Sequence, residues 1–475
     1  MRAVGLRGVD LRATWPLVTL VALIPLWWAL GLGVMIFMIL AVPMAYRLIL
    51  TRGVRIPPGF AIWVVFLIWN TVALANLRLN PAGTVTNDFT NRIPSAALRM
   101  LEYAAVTIML LYAGNLSRKV MPQVALVRLL GLGFVWSVLG GLLGLAAPHF
   151  QFTSPFERLL PTTVRTNQFV QSLVHPSAAQ LHDILGFTSP RPAAPWGYTN
   201  TWGYVIALTG VWFVLGCLLS RRLRSRVMAV ALPLVAVAPI VYSLNRGLWL
   251  ALGLIACYLA VRLALMGRVW LLATIGVALV VVSLVIALSP LQAYVTGRLD
   301  NPKSNSIRAF SVNGAIRITE QSPFLGYGST RTALGSDQSI TVGRSVGCPK
   351  CGNVPLGSNG QMWLLMVSSG FGGLILYFAF FCYLIVRYWR DTTPIGLAGV
   401  LVLVLSVFFS FVYNAMVAPL AFTMLSVALL WRNERPGGPA VTLPPTRGRR
   451  TPVQPRPVRP AVPAAPVPRE ALGGA

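Results

Sequence analysis

"VMAVALPLVAVAPIVYSLNRGLWLALGLIACYLAVRLALM", residues 227–266, decides the fold class of this chain. Apolar side chains fill the stretch on both sides of one short polar turn, Asn245-Arg246-Gly247. Each half is about as long as an α-helix must be to cross the hydrocarbon core of a bilayer. The stretch therefore predicts two membrane-spanning helices, 227–244 and 248–266. An arginine between them is costly unless it reaches water or binds a ligand.

The composition extends this prediction to the whole chain. Of its 475 residues, 56% are hydrophobic and 11% are charged, and the mean hydropathy is +0.70. A soluble chain would carry about a quarter charged residues. The apolar runs do not alternate as membrane β-strands do, so an all-α polytopic membrane protein is predicted. The first run, residues 15–30, lacks a small-residue cleavage site and is interpreted as a retained anchor.

About twelve transmembrane helices are predicted. They cover residues 15–31, 33–50, 59–77, 96–114, 124–147, 199–219, 227–244, 248–266, 269–289, 361–386, 394–413 and 415–431. Arginines precede the first span and follow the even-numbered spans, most densely in "SRRLRSR", residues 220–226. The positive-inside rule makes that side the cytoplasm, and both termini are then cytoplasmic.

This layout divides the chain into three regions. Residues 1–14 form a basic cytoplasmic N-terminus, and residues 15–431 form the transmembrane domain. Its extracytoplasmic loops are predicted at 78–95, 148–198 and 290–360, the last being the large loop between helices 9 and 10. Residues 432–475 are rich in Pro, Ala and Arg and are predicted to be a disordered cytoplasmic tail.

The net charge of +28 is explained by topology. Most arginines lie in short loops and tails, where they orient helices, so the expected partner is the lipid bilayer and no nucleic acid. Three lysines stand beside 36 arginines, and Ala, Gly and Pro are abundant, which suggests a GC-rich bacterial genome. We therefore expect the bacterial cytoplasmic (inner) membrane.

The turn at Arg246 is the first candidate site. It falls on the predicted outer face, where short loops normally avoid arginine. Asn245 and Gly247 suit a tight turn, and Gly247 would let a ligand approach the backbone. One interpretation is an anion site, because a guanidinium donates two parallel hydrogen bonds to phosphate. The other is an arginine that snorkels to the interface.

Several segments resemble the O-antigen ligase and polymerase superfamily, in the expected order. "SLNRGLWLALG", residues 243–253, resembles its Ser-Arg-Gly turn, and "YTNTWGYVIALTG", residues 198–210, resembles its middle helix. "NSIRAFSVNGAIRITEQSPFLGYGSTR", residues 305–331, resembles its outer-loop pattern, an arginine followed by Pro-x-x-Gly-x-Gly. "GSNGQMWLLMVSSGFGGLILYF", residues 357–378, resembles the stretch that re-enters the membrane.

The resemblance implies a metal-independent glycosyltransferase without a cofactor, a ligase or polymerase of a cell-envelope polysaccharide. Such enzymes move a glycan from a polyprenyl-pyrophosphate (undecaprenyl pyrophosphate) carrier to a hydroxyl on a lipid, glycan or protein acceptor. It also implies that Arg246 and Arg308 hold the pyrophosphate. The residues agree, since the chain has only 11 acidic side chains and no Asp-x-Asp pair to bind a metal. A transporter or flippase and an envelope-assembly scaffold remain the alternatives.

One position departs from the family pattern. The family histidine, the expected base, aligns with Asn359, and an amide cannot take a proton. The candidate bases on the outer side are Glu320, His175 and His182, together with Asp337.

Two further pairs have alternative interpretations. Arg317 is expected at a secondary substrate contact or paired with Glu320, since it lies on nearly the opposite side of a helix from Arg308. Arg99 and Glu102 form either an intramembrane functional site or a plain i,i+3 pair.

The outer loop also contains "GCPKCGN", with Cys348 and Cys351. A disulfide between them is predicted for an oxidising compartment. The string also looks like half of a zinc ribbon, with His175 and His182 able to complete a tetrahedral site. No metal site is expected, because the second knuckle is missing from the sequence.

Overall fold

Helices occupy every position at which the sequence predicts a membrane span. The computed structural model describes residues 8–86, 88–166, 168–183, 188–268, 270–288, 292–293, 296–297, 303–334 and 353–434. It is 72% helix. Among these residues, seven helices are long and apolar enough to cross a membrane, or eight if one bent pair counts as a span. The chain is therefore a mostly helical membrane protein with several spans.

The first half of the chain is helical apart from one small sheet. Its helices are α1 (Leu11–Ala22), α2 (Ile24–Leu30), α3 (Met35–Leu50), α4 (Phe60–Ala73), α5 (Ile93–Asn115), α6 (Gln123–Ala146), α7 (Pro155–Leu159), α8 (Thr162–Arg165) and α9 (Gln168–Val174). Short 3₁₀ helices, Leu74–Arg78 and Phe89–Arg92, lie between α4 and α5. Strand β1 (Ala179–Asp183) pairs antiparallel with β2 (Thr188–Pro192).

The second half has the same character. Its helices are α10 (Thr199–Leu218), α11 (Leu223–Tyr242), α12 (Arg246–Leu265), α13 (Trp270–Ala287), α14 (Lys303–Glu320), α15 (Gln361–Tyr388), α16 (Pro394–Ser410) and α17 (Ala418–Glu434). Strand β3 (Arg331–Leu334) pairs antiparallel with β4 (Asn353–Leu356). The prediction of an all-α protein is thus incomplete, because two hairpins lie in the predicted outer loops.

The first predicted span, 15–31, is not one straight helix. Helices α1 and α2 meet at Leu23 with a bend of 65°. Pro25 has no amide proton and so cannot bond to the carbonyl of Val21, which breaks the helix there. The Nε1 atom of Trp136 donates to that carbonyl instead, at 3.1 Å. The bend turns α2 toward the segment that contains α7 to α9.

Helix α10 lies in the centre of the helix packing. Trp202 and Trp212 are fully buried, and their indole N–H groups donate to Ser137 O and Ser426 Oγ at 2.8 and 2.9 Å. A helix that is apolar all round is typical of such a position. A Cβ atom at Gly131 of α6 would collide with the backbone of α10, so glycine permits the close approach of these two helices.

At one end of the helices, arginines donate to main-chain carbonyls. Arg432, 1% exposed, donates to the carbonyls of Ala113 and Met121. Arg118 donates to the carbonyl of Arg432 at 2.8 Å. These contacts join the C-terminal ends of α5 and α17 to the start of α6. The arginines that the sequence assigns to one side of the membrane thus meet in space at one end of the fold.

Candidate functional site

A cavity of about 730 Å³ opens at the other end of the helices. Its walls come from loops and helix ends that are far apart in the sequence. They are the end of α2 with residues 31–34, the first turns of α5, residues 172–180 and 191–201, Arg308 of α14, residues 355–364, and the turn at residues 412–418. Each wall segment lies in or beside a loop that the sequence predicts on the outer side. The cavity is therefore assembled from the alternate loops of the chain.

Helix α14 reaches this cavity because the turn after it is anchored in a break of α15. Gly370 interrupts α15 with φ 63° and ψ −169°, a left-handed conformation that favours glycine. The amide of Phe371, which the break exposes, donates to the carbonyl of Pro323 at 2.6 Å. A Cβ atom at Gly370 would collide with the carbonyl of Phe324. Glycine at this position lets the outer turn enter the helix.

The same turn also satisfies carbonyls of α15 on the other side of the break. The amide of Tyr327 donates to Val367 O at 2.9 Å, and the amide of Gly328 donates to Ser368 O at 2.8 Å. Gly326 has φ 64°, and a Cβ atom there would meet the backbone of α15. The Pro-x-x-Gly-x-Gly pattern therefore has a physical explanation. It forms the turn whose hydrogen bonds attach the end of α14 to α15.

Arg331 of β3 completes this anchor. Its side chain is 2% exposed and donates to the carbonyls of Leu79, Tyr327 and Leu77 at 2.9, 3.1 and 3.3 Å. It also donates to Ser329 Oγ at 2.8 Å. Burial, with a smaller contribution from nearby Arg92, lowers the pKa of the Arg331 guanidinium to about 10. The group is still charged at neutral pH, where it binds several carbonyls at once.

Three arginines from different parts of the fold line the cavity. Arg308 lies with its guanidinium carbon 6.0 Å from the ring centre of Tyr413. Arg191 of β2 donates from Nε to the carbonyl of Ser243 at 2.7 Å, which ties the hairpin to the turn before α12. Arg99 comes from the first turns of α5 and is 9% exposed. Their convergence makes this wall strongly basic.

Several buried donors of this wall lack acceptors. Within the part of the chain that the structure describes, Trp28 Nε1, Arg99 Nη1 and Asn359 Nδ2 have no hydrogen-bond partner. All three residues line the cavity. Buried polar atoms are nearly always hydrogen-bonded in folded proteins, and leaving one unmade costs about 1–3 kcal/mol. Acceptor atoms of water or of a ligand in the cavity could satisfy these three donors, while Gln123 Nε2 and Arg262 Nε are donors of the same kind away from the cavity.

One carboxylate faces these donors. Glu102 is 7% exposed and is the acidic side chain among the described residues that line the cavity. Among the described residues, Glu102 forms no hydrogen bond and no ion pair. The plain ion pair with Arg99 is therefore not formed. One carboxylate against three arginines leaves the site with net positive charge, which favours an anion.

His175 also lines the cavity and has a carboxylate partner. Its Nδ1 atom is 2.9 Å from Glu157 Oε2, and Glu157 is 4% exposed. The side chain of His175 is 29% exposed and lines the cavity. Of the two candidate bases whose side chains the structure describes, Glu320 and His175, His175 is the one that lines the cavity.

The residues around Arg246 lie behind the wall rather than in it. Asn245 is 1% exposed; it caps α12 through the amide of Leu248 and accepts a hydrogen bond from the Tyr413 hydroxyl. A Cβ atom at Gly247 would meet that hydroxyl at 2.5 Å, so Tyr413 and not a ligand approaches this glycine. Arg246, the first residue of α12, is partly exposed and is not among the side chains that line the cavity.

Other predicted site residues lie elsewhere. Arg317 and Glu320 are exposed on α14, away from the cavity, and no ion pair joins these two described residues. Asp337, Cys348 and Cys351 lie outside the described residues, as does the side chain of His182. The predicted disulfide therefore stays a prediction. Within the described ranges, no group of three or more His, Cys, Asp or Glu side chains could hold a metal.

Sequence reasoning missed Arg191 and Trp28. Arg191 lies in the predicted outer loop 148–198, where arginine works against the orientation rule as it does at Arg246. The same signal could therefore have identified Arg191. Trp28 gave no signal, because a tryptophan near the end of a span is typical of any membrane interface.

Known proteins add nothing to this geometry: a scan of protein-family models and comparisons with curated proteins and with solved structures find no match.

Proposed function

We propose that the protein is an extracytoplasmic glycosyltransferase that moves a glycan from a polyprenyl-pyrophosphate carrier to a hydroxyl acceptor. It acts as a ligase or polymerase of a cell-envelope polysaccharide in the bacterial inner membrane, as its resemblance to the O-antigen ligase superfamily implies. Arginines take the place of a metal in stabilising the leaving pyrophosphate. The prenyl tail stays in the surrounding lipid while the head group enters the cavity.

The cavity lining is the observation that carries this proposal. Transfer of a glycan from a pyrophosphate requires stabilisation of the negative charge that develops on the leaving group. Arg308, Arg191 and Arg99 converge on one space, and one carboxylate is present with them. Donors that are preorganised in a site of this kind stabilise such charge without reorganising during the reaction.

The resemblance also makes Arg246 a proposed second phosphate ligand, although its side chain is not among those that line the cavity in this structure. Arg246 follows Asn245, whose side chain is bonded to Tyr413, and Tyr413 contacts Arg308. A short chain of contacts thus joins the two arginines that the family pattern selects. Its position at the first residue of α12 also adds the positive end of the helix dipole.

The twelve-span topology, with the cavity on the outer side, belongs to the same proposal. Its support is the alternation of the loops: the cavity walls come from predicted outer loops, and Arg118 and Arg432, which meet at the other end, come from predicted cytoplasmic segments. Reporter fusions at Ser225 and Ser336 should report opposite sides of the membrane. The same side for both would overturn the layout.

Substitution of Arg308 tests the function. Arg308→Lys keeps the charge but loses the two-pronged donor, so transfer should fall by about a hundred- to a thousand-fold. Binding of undecaprenyl diphosphate to the purified protein in nanodiscs should weaken as well. Arg317→Lys is the matched control, because it makes the same change on the same helix but away from the cavity.

The outcomes separate the candidate functions. Wild-type protein that binds no undecaprenyl diphosphate, or an Arg308→Lys variant with normal binding and transfer, would contradict the proposal. Binding without any transfer, together with movement of the lipid across the bilayer, would favour the transporter or flippase alternative.

A further inference from the structure

The cavity that Arg308 lines also contains a histidine held by a buried carboxylate. Glu157 accepts from the amide of Ser154 at 3.3 Å, and Ser154 Oγ accepts from the amide of Glu157 at 3.1 Å. These two bonds form a capping box, which holds the Glu157 side chain in one orientation. The remaining bond of that carboxylate, 2.9 Å long, goes to His175 Nδ1.

The backbone next to His175 is tied to the same residues. Ser154 Oγ donates to the carbonyl of Val174 at 2.7 Å. Gly31, the left-handed C-cap of α2, packs on both Ser154 and Val174, and a Cβ atom there would collide with them. The end of α2 thus packs against the capping box and against the residue that precedes His175. Such support is what a catalytic side chain requires.

We propose that His175 is the general base that takes the proton from the acceptor hydroxyl, and that Glu157 is its positioning residue. This inference rests on the proposed function and adds the group that the chain needs in place of the family histidine. Because Nδ1 is bonded to Glu157, Nε2 is the ring nitrogen that serves the cavity. The carboxylate holds that tautomer and stabilises the imidazolium that forms.

The proposed step is balanced. The acceptor oxygen attacks the anomeric carbon of the donor sugar, and a new C–O bond forms as the bond from that carbon to the pyrophosphate oxygen breaks. The electron pair leaves with the pyrophosphate, which the arginines stabilise. The hydroxyl proton passes to His175 Nε2, and no oxidant, reductant or metal is required.

The other candidate bases whose side chains the structure describes are less suited to accept the proton. Asn359 lines the cavity but cannot accept a proton. Glu320 is exposed and lies away from the cavity. Glu102 does line the cavity, but it is 7% exposed and stands near Arg99. His175 is more exposed than Glu102 and has a fixed partner on its far side.

The test uses the full-length protein with donors and acceptors extracted from the membranes of the source cells. His175→Ala should lower transfer by about a hundred- to ten-thousand-fold, the usual contribution of a general base. Added imidazole should restore part of that activity, because it supplies the missing base. Undecaprenyl diphosphate should bind as it does to the wild type. His149→Ala, an exposed histidine outside the cavity, should leave transfer unchanged.

Two further variants complete the test. Glu157→Gln keeps a hydrogen-bonding side chain but removes the negative charge, so kcat should fall while KM for the donor is retained. His175→Gln provides a folded substitute if the alanine variant is unstable, and it should also be inactive.

The contrary results are specific. Normal transfer by His175→Gln, or a loss in His175→Ala that imidazole does not restore, would overturn the proposal for His175 but leave the donor site intact. Loss of transfer in Glu102→Gln with normal transfer in His175→Gln would move the role of base to Glu102. Failure of the wild type to bind undecaprenyl diphosphate would remove the proposed function itself.

Discussion

Two buried arginines near the predicted outer loops have different surroundings. Arg331 is 2% exposed, and both terminal nitrogens of its guanidinium donate to main-chain carbonyls. Arg99 is 9% exposed, and its Nη1 atom has no acceptor within the described residues. Burial alone therefore does not distinguish the two arginines, whereas the state of their donors does.

The difference teaches how to tell structure from function at this end of the molecule. A buried guanidinium whose donors are all used stabilises the fold, because replacing it would leave several carbonyls unpaired. A buried guanidinium with an unused donor costs stability in the folded protein. Beside a cavity a ligand can supply the missing acceptor, whereas the unused Nε donor of Arg262 lies away from the cavity. Arg331 thus belongs to the anchor of α14, and Arg99 belongs to the cavity.

The largest effect is expected from Arg331→Gln. Glutamine can reach few of the carbonyls that Arg331 binds, so those of residues 77, 79 and 327 would lose donors. The loss of stability should be about 3 kcal/mol or more, and it should appear as a lower unfolding temperature of the purified protein in detergent. An unchanged unfolding temperature would show that water replaces the guanidinium here, and the anchor would not depend on it.

The same substitution at Arg99 should have the opposite pattern. Arg99→Gln removes an unpartnered donor, so the unfolding temperature should stay the same or rise. Binding of undecaprenyl diphosphate should weaken about tenfold or more, since a charge-assisted hydrogen bond contributes about 1.5–3 kcal/mol. Lower stability with unchanged binding of undecaprenyl diphosphate would show that Arg99, like Arg331, is a structural residue, and the two arginines would then not differ in role.

The positions of the helices could be predicted from the sequence with little loss. Long apolar runs must form helices in lipid, because no water is present to satisfy the main chain. The bend at Leu23 could also have been predicted, since Pro25 lies inside the first apolar run. It was missed because mean hydropathy does not distinguish a straight span from a broken one.

The candidate site was only partly predictable. Arg308 was selected by the family resemblance and His175 as one of several candidate bases on the predicted outer side, and both line the cavity. The position of Arg246 against the orientation rule suggested a direct ligand contact, yet the structure places Tyr413 against the neighbouring Gly247. The unusual position of Arg246 thus pointed to the end of the helices where the cavity lies, but Arg246 is not one of the side chains that line the cavity.

Apolar run length and arginine asymmetry by themselves determined a helical membrane protein and the grouping of its loops into two sets. Both are local or additive properties, since each residue contributes to hydropathy and charge independently of its distant neighbours. Tertiary structure alone decided that Arg99, Arg191 and Arg308 converge, that the Pro-x-x-Gly-x-Gly turn enters α15 at Gly370, and that Glu157 holds His175. These contacts join residues that are far apart in the chain or on separate short elements, and they depend on close approaches that only the packed helices create.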